Sequence, residues 1–177
     1  MKVTGQQLIA AIKEWSHVRD MATAEFSMSN HRFPGDQKDS PAEVSARIVT
    51  AEGNVAKLQA AQGAFNQRIK VTVDGETLSL AEAIKRIGGV SRVEKLWREV
   101  AKGDEKKRRR SSLYGDDIGL VRSKKDDVER AEILVTPAEA NLKAKEIAKK
   151  VALLRSAIQA GNARKTEIEG LEPALFE

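Results

Sequence analysis

Between Val44 and Ile69 the apolar positions fall four and three residues apart in strict alternation: Val44, Ile48, Ala51, Val55, Leu58, Phe65 and Ile69, with Gln62 the polar member of the series. That spacing keeps one stripe on one side of an α-helix and predicts a coiled-coil-like seam over 40–69. Ala140, Ala144, Ile147, Val151, Leu154, Ile158 and Gly161 repeat it and predict a second long helix over 136–164. Leu8, Ile12, Trp15, Ala22 and Phe26 mark one face of a helix over 4–29.

The starts of these helices are written locally. A Ser or Thr followed three residues later by Glu or Gln lets each side chain satisfy a backbone N–H of the first turn. Such boxes occur at Thr4, Ser40, Ser79, Ser91 and Thr136, with Pro41 and Pro137 at the first helical position of two of them. A third helix therefore starts at Ser79. It is expected to break at Gly88-Gly89, restart at Ser91 and end near Gly103.

The period changes in "KVTVDGETLSL", where β-branched residues alternate around Asp74-Gly75, a dipeptide suited to a tight hairpin turn. "AEILV", Ala131 to Val135, reads as a further short strand, expected to pair with Lys70–Val73. The fold class is mainly α: long antiparallel helical hairpins with a small two- or three-strand β element at about 70–79 and 131–135. One elongated domain, with a charged loop over 104–127 and an irregular tail over 170–177, accounts for the whole pattern.

Two stretches, "NQRIKVTVDGETLSLAEAI" and "RAEILVTPAEANLKAKEIAKKVALLRSAIQAGNARKTEIE", follow one another in an order that resembles an uncharacterised family of small bacterial helical proteins sometimes labelled septicolysin. Gly88-Gly89, the basic loop and Ala163 depart from that family's pattern. The resemblance implies a mostly helical protein that forms oligomers. The family has no established activity, so no catalytic residue is carried over.

Composition sharpens the picture. Aromatic residues make up 4% and charged residues 32% of the 177, a balance that suits packed helices better than a sheet sandwich. The net charge of +5 is modest for a dedicated nucleic-acid binder. The absence of cysteine excludes disulfides, thiolate metal sites and a cysteine nucleophile, and fits a reducing compartment. "LIAAI" near the start is too short for an export signal, and no apolar run is long enough for a bilayer. The expectation is a cytoplasmic protein without a membrane partner.

Three candidate chemistries stand out. Lys106, Lys107, Arg108, Arg109 and Arg110 form an uninterrupted basic run, a candidate anion-binding site for nucleic acid or a nucleotide-like ligand. From Asp104 to Asp127, however, eight bases face six acids, and Tyr114 is the lone aromatic. Between Val100 and Leu113 only Ala101 is apolar, so the run reads equally as an exposed loop. Glu14 and His17 have the spacing of half a di-iron site, but the other half is missing. "AEAIKRIGGVSRVEKLWREV" echoes a helix-turn-helix, yet either glycine frame puts Ile84 or Lys85 where a small residue belongs. It reads better as a kinked amphipathic helix.

No catalytic residue and no cofactor are assigned. The expected function is a non-catalytic scaffold that associates with itself. A binder of anionic ligands through Lys106–Arg110 is the alternative, and a metal-binding helical protein the second.

Overall fold

The architecture comes from a computed structural model that describes residues 1–31, 39–102, 121–124, 127–130 and 134–176. It is mainly α. In chain order the elements are β1 (Lys2–Thr4), α1 (Gly5–Ser29), α2 (Pro41–Arg68), β2 (Lys70–Val73), β3 (Glu76–Ser79), α3 (Leu80–Ala101), β4 (Val121–Lys124), β5 (Asp127–Arg130), α4 (Pro137–Ala163) and β6 (Lys165–Glu167), followed by a 3-10 turn at Pro173–Leu175. The chain divides into two compact units, Met1–Ile84 with Ser156–Glu177, and Lys85–Arg155.

The first unit is built on the α1–α2 hairpin. Four of the five capping boxes close as the sequence implies. Thr4, Ser40, Ser79 and Thr136 each accept from the N–H three residues on, at 3.1 to 3.3 Å, and Gln7, Glu43, Glu82 and Glu139 reach back to the cap N–H at 2.6 to 2.9 Å. α1 and α2 run antiparallel, as the paired Glu25–Arg47 and Arg19–Glu52 require. The stripe read from α2 is its inner face: Val44, Ala51, Val55, Leu58, Phe65 and Ile69 are buried, while Ile48 and Gln62 are half-buried. On α1 the inner positions are Leu8, Ala11 and Ala22. Ile12 and Trp15 are half-buried and Phe26 is exposed, so the face is shifted toward its small residues, which let α2 approach.

One end of the hairpin is closed by strands. β2 and β3 pair in register from Lys70 with Ser79 to Val73 with Glu76. Asp74 and Gly75 take φ of 51° and 80°, as the two-residue turn demands. β6 pairs with β1, Val3 opposite Thr166, and the Met1 amino group donates to the Ile168 carbonyl at 2.9 Å. Packing here leaves no room for side chains at two glycines. A Cβ on Gly161 would lie 2.9 Å from Val71 Cγ1, and one on Gly5 would lie 2.8 Å from Phe65 Cε1. The tail, read as irregular, is anchored: Leu175 is buried, and Trp15 Nε1–H donates to its carbonyl at 3.1 Å.

α3 continues through Gly88-Gly89 without a break, so there is no restart at Ser91. Neither glycine has a positive φ. A helical glycine costs only about 1 kcal/mol relative to alanine, too little to break a helix whose flanking turns are sound. With no turn at this point, a helix-turn-helix is excluded. The expected strand over 131–135 falls mostly outside the described residues. Leu134 and Val135 form a bend with Leu134 88% exposed, residues 131–133 lie outside the described residues, and among the described residues β2 pairs with β3. β4 and β5 pair with each other. On α4, Ala140, Ala144, Val151 and Leu154 of the predicted stripe are buried.

Candidate interaction faces

α1 is amphipathic twice over. Beyond the stripe facing α2, His17, Val18, Met21, Ala24, Glu25 and Met28 recur three and four residues apart on a neighbouring face. With Arg47 of α2 they line a groove of about 490 Å³. Met21 and Met28 are 60% and 64% exposed, and no segment covers them among the described residues. Flexible, polarisable methionines adapt to varied apolar partners.

The rim of the groove is charged. Arg47 bridges Glu25 at 2.8 Å and Asp39 at 2.9 Å. Away from the groove, on the other flank of the α1–α2 seam, Arg19 bridges Asp20 at 2.8 Å and Glu52 at 3.7 Å, and its hydrogen bond to Asp20 raises the guanidinium pKa further above its ordinary value. Each guanidinium thus serves two carboxylates. Glu14 and Lys13 lie on the groove side of α1, one turn nearer its start.

A second uncovered face lies on α3. Val93, Leu96 and Val100 project from one side of the helix at spacings of three and four, and all three are exposed, Leu96 by 60%. Lys85, Arg92 and Glu99 lie on the side of the helix next to this ridge, and Lys95 and Lys102 on the side away from it. None of these five forms an ion pair among the described residues.

The outer face of α2 is of a third kind. From Ala42 through Ser45, Val49, Gly53, Ala56, Ala60 and Gly63 to Gln67 it is exposed and carries no charge. A solvent-facing helix side in a chain this charged is usually studded with Lys and Glu.

Of the residues singled out by sequence, Lys106, Lys107, Arg108, Arg109 and Arg110 lie outside the described residues. Glu14 and His17 are both exposed on α1, and His17 lines the groove. No group of three or more possible metal-ligating side chains occurs among the described residues. No helix among them is long and apolar enough to cross a membrane. Sequence reading missed the groove and the ridge. Their signal was present as a second apolar stripe on α1 and as an apolar arc on α3 wider than one neighbour can cover. No protein-family model, curated protein or solved structure matches the chain.

Proposed function

We propose that this protein is a non-catalytic helical scaffold that works by associating with itself. The observation that carries the reading is the pair of uncovered apolar helix faces, Val18–Met21–Met28 on α1 and Val93–Leu96–Val100 on α3. Aliphatic side chains gathered in stripes, rather than scattered singly, mark surfaces that are covered in the working assembly. The uncharged outer side of α2 supports it, since small side chains allow close approach of another helix.

Static light scattering at micromolar concentration tests the reading. The expected mass is well above the 19.4 kDa of one chain. Met28→Glu together with Leu96→Glu returns it to the single-chain value with helicity retained. A wild-type mass equal to one chain across the concentration range contradicts the reading.

A further inference from the structure

The two compact units carry charge of opposite sign. Met1–Ile84 with Ser156–Glu177 holds 11 Lys or Arg against 14 Asp or Glu, a net of −3, whereas Lys85–Arg155 holds 20 against 12, a net of +8. The whole-chain value of +5 averages the two and hides the second. Nor does the excess come from Lys106–Arg110. Among the described residues of the second unit 14 bases face 6 acids, again +8, because acids cancel the bases in the rest of its sequence. Charge divided so unevenly along one chain is the footprint of a polyanion partner. We infer that the second unit binds the phosphate backbone of a nucleic acid, and that one side of α4 makes the contact. This goes beyond the scaffold reading and does not depend on it.

α4 buries Ala140, Ala144, Val151 and Leu154 on one side. Its two acids are engaged within the chain, Glu139 in the Thr136 cap and Glu146 on Lys143 at 3.1 Å. Asn141, Lys145, Ala148, Lys149, Ala152 and Arg155 recur at spacings of three and four, and the side of the helix they share carries no acid. Lys145, Lys149 and Arg155 are exposed, and none of them forms an ion pair among the described residues. Lys, Arg and Asn are side chains that hold phosphate oxygens, and the small alanines between them leave the bases free to reach out. Each base that meets a phosphate releases a condensed counterion, which gives affinity without sequence preference. A lipid surface suits this side less well. The exposed apolar residues beyond Lys149 are Leu142 and Leu153, eleven residues apart, rather than the continuous apolar face that insertion between headgroups needs. The negative first unit turns phosphates away, so the second unit leads the encounter.

Fluorescence anisotropy with labelled DNA and RNA duplexes of unrelated sequence, between about 50 and 200 mM salt, tests this. The wild type should bind both, because backbone contacts carry no sequence information. Three bases each meeting one phosphate give a slope of about −2.7 in log K against log salt on DNA, roughly a fortyfold loss over that range. Lys145→Gln with Lys149→Gln and Arg155→Gln should retain helicity by circular dichroism, weaken binding by about tenfold or more at the lower salt, and flatten the slope by about that amount. Lys149→Gln alone should flatten it by about 0.9, which keeps the question answerable if the triple variant unfolds. Lys13→Gln with Lys57→Gln and Lys70→Gln removes the same charge from exposed positions of the first unit and should leave binding within about twofold.

Binding to neither duplex at the lower salt overturns the inference. So does equal weakening by the two triple variants, which would reduce the effect to net charge, and so does unchanged binding in the folded α4 variant. Cosedimentation with vesicles of phosphatidylcholine and phosphatidylserine that is lost in the α4 variant, with no binding of either duplex, assigns α4 to a lipid surface instead and also overturns it.

Discussion

The two halves of α1 have similar apolar content and opposite fates. In the first half Leu8 and Ala11 are buried, Gly5 touches Phe65, and the C-terminal tail closes over Trp15. In the second half Ala22 is buried under α2, while Val18, Met21, Phe26 and Met28 stand in solvent. The difference is one of cover. Three chain segments meet the first half: β6 through its pairing with β1, the end of α4 through Asn162 beside Gly5, and the tail over Trp15. On the second, α2 alone packs among the described residues. A helix presents apolar side chains, and what lies against them decides whether they become core or interface.

The sharpest way to break this comparison is to shorten one aromatic in each half of the hairpin. Phe65 is fully buried against Gly5, and Phe65→Ala should cost about 3–5 kcal/mol through lost burial and the cavity left behind. Phe26→Ala removes an exposed ring and should change the stability of the separated chain by about 0.5 kcal/mol or less. Denaturant unfolding of both variants checks the pair. Equal losses would mean the two ends are equally packed.

The next effect belongs to the tail. Leu175→Ala removes the anchor beside Trp15 and should cost about 2 kcal/mol, the low end for a buried leucine because the site lies at the edge of the core. Trp15 fluorescence should shift to the red as the indole gains water. Unchanged emission would show that the tail is not what shields it.

Much of this was legible in the sequence, and the limits are instructive. The stripe Val44 to Ile69, the four boxes that cap helices and the Asp74-Gly75 turn were all readable because each depends on residues within about one turn of helix or one hairpin. The failures share one cause. Gly88-Gly89 read as a break because local propensity penalises glycine, but the sound turns on either side carry the helix through. "AEILV" read as the partner of β2, but among the described residues β2 pairs with β3, which lies only two residues away and costs far less chain entropy to bring alongside. The tail over 170–177 holds only the short turn at Pro173–Leu175, and its contact with Trp15, 160 positions away, leaves no local pattern to read. For the interaction faces, periodicity located the apolar stripes but could not say which of two stripes on α1 another segment would cover.

A smaller effect is expected in acid. The Ser40 N–H, and then its hydroxyl, hold the Glu43 carboxyl below the ordinary carboxylate range, and Thr136 does the same for Glu139. Because the folded pKa is lowered, the stabilisation is fully present above the unfolded carboxylate value and is lost as pH falls through the folded one. Thermal midpoints should drop between about pH 5 and 3, and Glu43→Gln with Glu139→Gln should flatten part of that drop. Gln7 shows that an amide completes the same box. An identical pH profile in the double variant would remove these carboxylates from the account.

Smallest of all, Gln62→Leu should leave stability unchanged or raise it by about 1 kcal/mol, since a half-buried amide in an apolar stripe is replaced by a side chain that suits its neighbours. A loss on equilibrium unfolding would assign Gln62 a polar partner.

The central claim is that a second chain covers the far half of α1, and the three methionines report on it directly. Mild peroxide converts an accessible thioether to the sulfoxide at a rate set by exposure. Met21 and Met28 are more exposed than Met1 in the single chain, at 60% and 64% against 40%. Residue-resolved oxidation by mass spectrometry, from nanomolar to tens of micromolar protein, should show Met21 and Met28 protected relative to Met1 at high concentration and released on dilution. If both oxidise faster than Met1 at every concentration, that half of α1 faces water and the account is wrong.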